Sequence, residues 1–328
     1  MEPVVKTRTL WQRGTLWLFV AQFGMPLMFL LLCLVLSFLT PAFLTFGNFL
    51  TILRQVSMLG IVSLGMTLVM TAGGIDLSVG EAADAGALIS ISALSAGWGT
   101  LPAVLGGLAG GAAIGALNGY LISFLGVMPF LATLGTHTMA MSIEMVYTQG
   151  GLPLYPTDMP PASYSFIGRG LVGPIPVPVL ILAGMLLIYY LLMNRSVLGR
   201  FAYSIGGNAE ASRLSGVNVR RVKWLKYVLA SVTAAVAGII LASRVASGQP
   251  LAGEPFLLDS IAASFMGMTV SREGKTNIFG TLLGACFLGV VLNGMTLLNV
   301  PFYRQTFIKG CLLLAVLAMG SFARTKRA

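Results

Sequence analysis

Long apolar runs recur along the chain, split by short breaks rich in Pro, Gly and charge, and each is close to the roughly 20 residues a helix needs to cross a bilayer. Ten such segments are read, over about 16–39, 48–72, 80–97, 101–123, 129–149, 176–194, 223–247, 257–271, 277–298 and 302–321. No alternating strand pattern competes with them. The first run is too long for the roughly 7–15-residue core of a signal peptide and reads as a retained helix. The pattern predicts an all-α fold, a polytopic integral membrane protein with about ten transmembrane helices. Neither repeats nor linkers divide the chain, so 1–328 reads as one domain.

The eighth segment is the exception. Asp259 and Arg272 leave only 12 uncharged residues between them, about 18 Å of helix. Either the helix borrows flanking residues and snorkels its charged ends, which is the reading preferred, or it is a broken, re-entrant element inside the protein. Two connections are long: a Pro-rich one, Gly150 to Pro178, and a basic one, Arg195 to Arg221.

Composition agrees with the pattern. Hydrophobic residues make up 56% and charged residues 9%, against roughly 25% in ordinary globular domains, too few to solvate a surface. The net charge of +10 does not imply nucleic acid, because the cations sit between apolar runs and form no basic stripe interleaved with aromatics. With the N-terminus inside, the cytoplasmic ends hold Lys6, Arg8, Arg13, Arg195, Arg200, Arg213, Arg220, Arg221, Lys223, Lys226, Arg272, Lys275, Arg324, Lys326 and Arg327. Only Arg54, Arg169, Arg244, Arg304 and Lys309 of the 20 cations fall elsewhere. The positive-inside rule therefore places both termini in the cytoplasm. Cys33, Cys286 and Cys311 lie in apolar runs and His137 is the one histidine, so the sequence offers no disulfide framework and no metal-ligand cluster.

Several patterns carry candidate chemistry. Gly107, Gly111, Gly115 and Gly119 recur every four residues and bare one side of the fourth segment; this serves ordinary helix packing, or a tight seam beside a translocation path or subunit interface. In Gly73 to Gly80, the carboxylate of Asp76 sits between glycine pairs, with Gly74 allowing the turn. Asp76 or Ser78 can cap the next helix, or the junction can act as a gate or touch cytoplasmic machinery. Glu81 and Asp84 follow in the positive first turn and read as interfacial. His137 and Glu144, seven apart, share one face of the fifth segment as a candidate intramembrane polar pair, a proton relay or a helix–helix hydrogen bond. Gly274-Lys275-Thr276 lacks the earlier glycine of a phosphate-binding loop, since Thr269 stands there; the chain is not read as an ATPase or other enzyme. Gly206 to Gly216 has a glycine entrance and exit around a short helical core, and reads as a surface helix for a groove on a soluble partner or as a plain connector.

The blocks Gly73 to Gly80, Ala132 to Gly135, Gly206 to Val219, Ala237 to Arg244 and Ser247 to Pro250 together resemble the ribose, arabinose and galactose type of ABC transporter permease, almost end to end. The resemblance implies an ABC importer permease fold like that of the vitamin B12 importer. It implies monosaccharide import across the bacterial inner membrane, with a second permease copy or paralogue, membrane lipid around both, and a periplasmic sugar-binding protein. Cytoplasmic ATP-binding subunits would hold ATP and Mg; no cofactor is expected on this chain. By the same analogy the segment of about 195–222 is the coupling element, with Gly206, Asn208, Glu210, Arg213 and Gly216 seated in the ATPase, and Arg220, Arg221, Lys223 and Lys226 hold the seventh helix at the membrane surface. The chain departs from the family pattern at Met141-Ser142, where an Arg-Gly pair is common, and at Met268, Glu273 and Thr276, which replace glycines. The competing class is a proton-coupled secondary transporter or facilitator using His137 and Glu144.

Overall fold

A computed structural model describes residues 8–270 and 275–325; Lys6, Arg272, Glu273, Gly274, Lys326 and Arg327 lie outside the described residues. In chain order its helices are α1 (Arg8–Leu39), α2 (Phe46–Thr71), α3 (Val79–Ser95), α4 (Thr100–Ser123), α5 (Pro129–Tyr147), α6 (Ala162–Arg169), α7 (Val177–Tyr190), α8 (Val197–Gly207), α9 (Ala209–Leu214), α10 (Val219–Val245), α11 (Glu254–Val270), α12 (Ile278–Leu297) and α13 (Phe302–Thr325). All ten apolar segments are helical. Among the described residues, α2, α4, α7 with its π-helical continuation to Arg195, α10 and α12 are long and apolar enough to cross a bilayer. Phe38, Val146, Phe302 and Phe307 are more than two-thirds exposed, the apolar outer surface of a protein solvated by lipid.

Helix ends follow local chemistry. Thr45, Ser196, Asn208, Asn218 and Asn277 each cap a helix by accepting a backbone N–H with the side chain. Pro129 opens α5, where its missing N–H costs nothing. α2 closes with Gly73 at φ +74, whose N–H bonds the Met70 carbonyl while that of Gly74 bonds the Val69 carbonyl.

The core is built around α2 and α10. On α4, a methyl at Gly107 would lie 3.1 Å from Ile239, one at Gly111 2.6 Å from the Ala235 Cβ, one at Gly115 2.5 Å from the Tyr227 carbonyl and one at Gly119 2.8 Å from the Trp224 carbonyl. The glycine seam thus closes on α10 within the chain. Asn48 of α2 and Asn293 of α12 exchange side-chain amide bonds of 3.1 and 2.7 Å, which leaves neither amide bare in the apolar interior. The Pro-rich connection is docked. Tyr164 of α6 is fully buried, its hydroxyl 2.8 Å from the Ser90 hydroxyl and its carbonyl accepting from Ser243 at 2.6 Å. A two-stranded hairpin, β1 (Leu171–Val172) and β2 (Ile175–Pro176), follows α6; strands of two residues are too short to show a period in sequence.

Two helices begin inside the fold. Ala82 and Gly86 of α3 face Gly111 and Gly107 of α4, which themselves sit on Ala235 and Ile239, so α3 starts beside the middle of α10. At the same depth α11 begins, because a methyl on Gly80 would lie 2.9 Å from the Gly253 carbonyl oxygen. From there α3 runs toward α6 and α11 the other way, where its Ser264 hydroxyl lies 3.2 Å from that of Thr67. The preferred sequence reading of the eighth segment is corrected: α11 begins inside the protein, as the broken-element alternative has it, and Asp259 does not snorkel. It is buried and accepts from Lys309 of α13 at 2.9 Å, a partner far away in sequence.

Candidate functional site

The face carrying α8 and α9 is organised around Asn208. Gly206 and Gly207 do not form an entrance loop; they finish α8, and the chain turns at Asn208, whose side chain accepts from the Ala211 N–H at 2.9 Å to start α9. The Ser204 and Ser212 hydroxyls, 2.7 Å apart, fix the two short helices to each other. Gly216 ends α9 at φ +84, its N–H bonding the Arg213 carbonyl while the Val217 N–H reaches the Ser212 carbonyl, a bond the left-handed conformation at Gly216 makes possible. On the outer side of α9, the Arg213 guanidinium donates through two nitrogens to Glu210, at 3.1 and 2.5 Å, and both side chains are about two-thirds exposed. That hydrogen bond holds the Glu210 carboxyl below the usual carboxylate range and raises the Arg213 guanidinium. An ordered, charge-bearing helix is thereby presented outward.

The inner side of this element is fastened to the long helices. Gly206 packs directly on the Thr71 carbonyl at the end of α2, with no room for a side chain between them. Tyr203 of α8 donates to the Thr276 carbonyl at 3.0 Å, and the Thr276 hydroxyl lies 2.5 Å from that of Thr71. One helical turn deeper, Thr67 lies 2.8 Å from Thr281 and 3.2 Å from Ser264, so hydroxyls join α2, α11 and α12 behind α8. Thr276 is a member of this ladder.

Lys226 changes role. Instead of holding α10 at a membrane surface it is buried, with Nζ donating to the Val69 and Ala72 carbonyls at 3.2 Å each, at the end of α2. Gly74 packs tightly here: a methyl there would lie 2.8 Å from Lys226 Nζ and 2.5 Å from the Tyr227 hydroxyl, so these side chains would have to shift. Asp76 is fully buried and does not cap α3; its Oδ1 accepts from the Ser78 N–H at 2.9 Å and the Ser78 hydroxyl at 2.7 Å. Ser78 takes the N-cap position, yet its oxygen also accepts from Asn118 at 2.6 Å and caps nothing. A buried Asp76 presents nothing to a soluble partner.

His137 and Glu144 share α5 but turn to different partners. His137 Nδ1 lies 2.5 Å from Glu81 Oε1 on α3, and Glu144 Oε1 accepts from the Leu251 N–H at 2.7 Å. Glu81 and Asp84, read from sequence as interfacial, are both buried; Asp84 Oδ1 accepts from the Gly253 N–H at 2.7 Å. Sequence spacing could pair residues only along one helix, and these partners come from a neighbouring helix and a distant loop. Among the described residues, no three His, Cys, Asp or Glu side chains are arranged to hold a metal ion.

Comparison with known proteins adds an independent line. A family model described as branched-chain amino acid transport system, permease component, matches residues 48–317. The ribose import permease of Escherichia coli (strain K12) is 40% identical over 290 residues, covering 88% of this chain and 90% of that protein. That of Bacillus subtilis (strain 168) is 39% identical over 286 residues, covering 87% and 88%. A D-allose transport system permease of Escherichia coli (strain K12) is 31% identical over 305 residues, covering 92% of each. No solved structure matches the chain.

Proposed function

The chain belongs to the permease family of ABC importers that this model describes, of the ribose, allose and arabinose type, and from that premise we propose that it forms half of a two-permease channel importing a monosaccharide across the inner membrane. In this reading residues 1–328 form one domain of ten crossings in the vitamin B12 importer manner, with both termini cytoplasmic. Cytoplasmic ATP-binding subunits hold ATP and Mg, and a periplasmic sugar-binding protein delivers solute. The single observation that carries the coupling role is α9 itself: a capped helix with an exposed Glu210–Arg213 pair whose base, Gly206, rests on the end of α2.

The mechanism follows from that attachment. Closure of the ATPases displaces α8 and α9; Gly206 against Thr71 and Tyr203 against Thr276 pass the displacement to α2 and α12, and the hydroxyls of Thr67, Thr281 and Ser264 pass it to α11. Interfaces so closely packed shift as units between discrete arrangements, which is how small movements become outward- and inward-facing states. A neutral sugar needs no charge clamp, and hydroxyl and amide groups are the common polar groups on these helices.

Reconstituted vesicles test the proposal. Uptake is expected to need ATP, an ATPase and a binding protein, and Glu210→Ala or Gly216→Pro is expected to leave the chain inserted while weakening ATPase binding. Undiminished ATP-driven uptake in both variants removes the coupling role of α9. Uptake driven by a pH gradient without an ATPase would instead favour the proton-coupled class.

A further inference from the structure

The connection from α10 to α11 does not remain at the surface where α10 ends. Ser247–Gly253 folds back beside α3: Gly248 and Leu154 exchange backbone bonds of 2.8 Å, Gly248 packs on Leu88, and Gly253 reaches Gly80 at mid-depth. Ala246 just before it and Leu251 within it are left-handed, at φ +59 and +57. Irregular backbone at this depth must find its hydrogen-bond partners inside the protein. Two buried carboxylates supply them, Glu144 of α5 to the Leu251 N–H and Asp84 of α3 to the Gly253 N–H, each at 2.7 Å. Carboxylates are costly to bury in a membrane protein, and backbone carbonyls or hydroxyls would tie a fixed strap equally well.

Resting on the permease reading, we propose that Ser247–Gly253 is the mid-depth gate of the solute path and that Asp84 and Glu144 are the positioning residues that hold it shut. The strap lies where α3, running toward α6, abuts α11, running toward α8, so it is the joint at which movement of α11 against α3 must be taken up. That movement originates at α8 through the Thr71, Thr67 and Ser264 hydroxyls. Hydroxyl groups of a passing sugar are donors of the same kind as the strap N–H groups, and can replace them on the two carboxylates without leaving a buried acceptor bare. Polyhydroxy solutes are thus the class such a gate admits.

The test uses the complete complex of permease, ATPase and binding protein in nanodiscs, with Cys33, Cys286 and Cys311 changed to Ala and Leu251→Cys as the single thiol. Its alkylation by a membrane-impermeant maleimide is expected to be slow, about tenfold faster when Glu144→Ala is added, and within about twofold of the starting rate with Glu144→Gln, whose amide oxygen still accepts. Asp84→Ala is expected to act like Glu144→Ala, and Asp84→Asn like Glu144→Gln. Tyr155→Cys, exposed in the outer connection, is expected to label alike in every background. Equal rates at Leu251→Cys with and without the alanine changes overturn the gate, even where uptake by the same preparation depends on ATP. Loss of ATP dependence while the labelling differences persist overturns the transport reading on which the gate rests.

Discussion

The glycine seam between α4 and α10 gives a prediction whose sign is set by two competing effects. Replacing Gly by Ala inside a helix favours the helix by about 1 kcal/mol through backbone entropy. At Gly111 the new methyl would lie 2.6 Å from the Ala235 Cβ and 2.8 Å from the Ser231 carbonyl oxygen, where ordinary carbon contacts are about 3.5–4.0 Å. These atoms belong to backbone or to a residue with no rotamer to change, so α4 and α10 must separate by about 1 Å. Overpacking of this kind costs about 1–3 kcal/mol, which equals or exceeds the gain in propensity. At Gly184 of α7 nothing lies within 4 Å of the added methyl, so only the gain remains. The two variants should therefore differ by about 1–3 kcal/mol, which at roughly 2–4 °C per kcal/mol is about 2–12 °C in melting midpoint. The assay is the loss of monodisperse protein on heating detergent-purified chain, at one scan rate because such unfolding is irreversible. Gly184→Ala should hold or raise the midpoint and Gly111→Ala should lower it. A Gly111→Ala midpoint raised as far as that of Gly184→Ala would refute the reasoning.

Three further outcomes are expected. Lys226→Met removes the side-chain donor to the Ala72 carbonyl, a loss of about 1–3 kcal/mol that the same melting assay should detect; an unchanged midpoint would show that this carbonyl finds another donor. Lys309→Met leaves Asp259 buried and unpaired, at a cost of about 3–5 kcal/mol, whereas Lys309→Met combined with Asp259→Leu should recover most of that stability, and a double variant as unstable as the single one would show that the pair is not the reason. Because the folded-state pKa of Glu210 lies below its usual value, its pairing with Arg213 is fully present above about pH 4.3 and is lost only on acidification through the lowered pKa; ATPase binding attributed to α9 should not change between pH 8 and 5 on account of Glu210, which an electrophoretic or fluorescence binding titration of Glu210→Gln against the parent would check.

The coupling element shows how far local chemistry reaches. Gly216 after a short polar helix, Asn208 before it and a Glu–Arg spacing of three are all local signals, and each does in the structure what its residue type allows. What could not be read locally was which way the helix is anchored, because the contact of Gly206 with Thr71 joins residues 135 apart in the chain. Lys226 departs from its local pattern for the same reason: a lysine following several cations reads as surface, and only the packing of α10 against the end of α2 makes it an internal donor.

Sequence alone determined that the chain is helical and lies in lipid, the ends of the long apolar helices to within a few residues except the start of α1, and the family to which it belongs, but it did not show α6 or α8. The helical and membrane character follows from apolar run length and from caps and turns, which act over a few residues, whereas the family rests on sequence blocks shared with its members. Tertiary structure decided the rest: that α3 and α11 start at mid-depth, that Asp259 answers Lys309, that His137 faces Glu81, and that Glu144 and Asp84 hold a returning loop. A buried charge or bare amide states in sequence that it needs a partner, but the partner is chosen by helix packing, and packing is settled by shape across the whole fold.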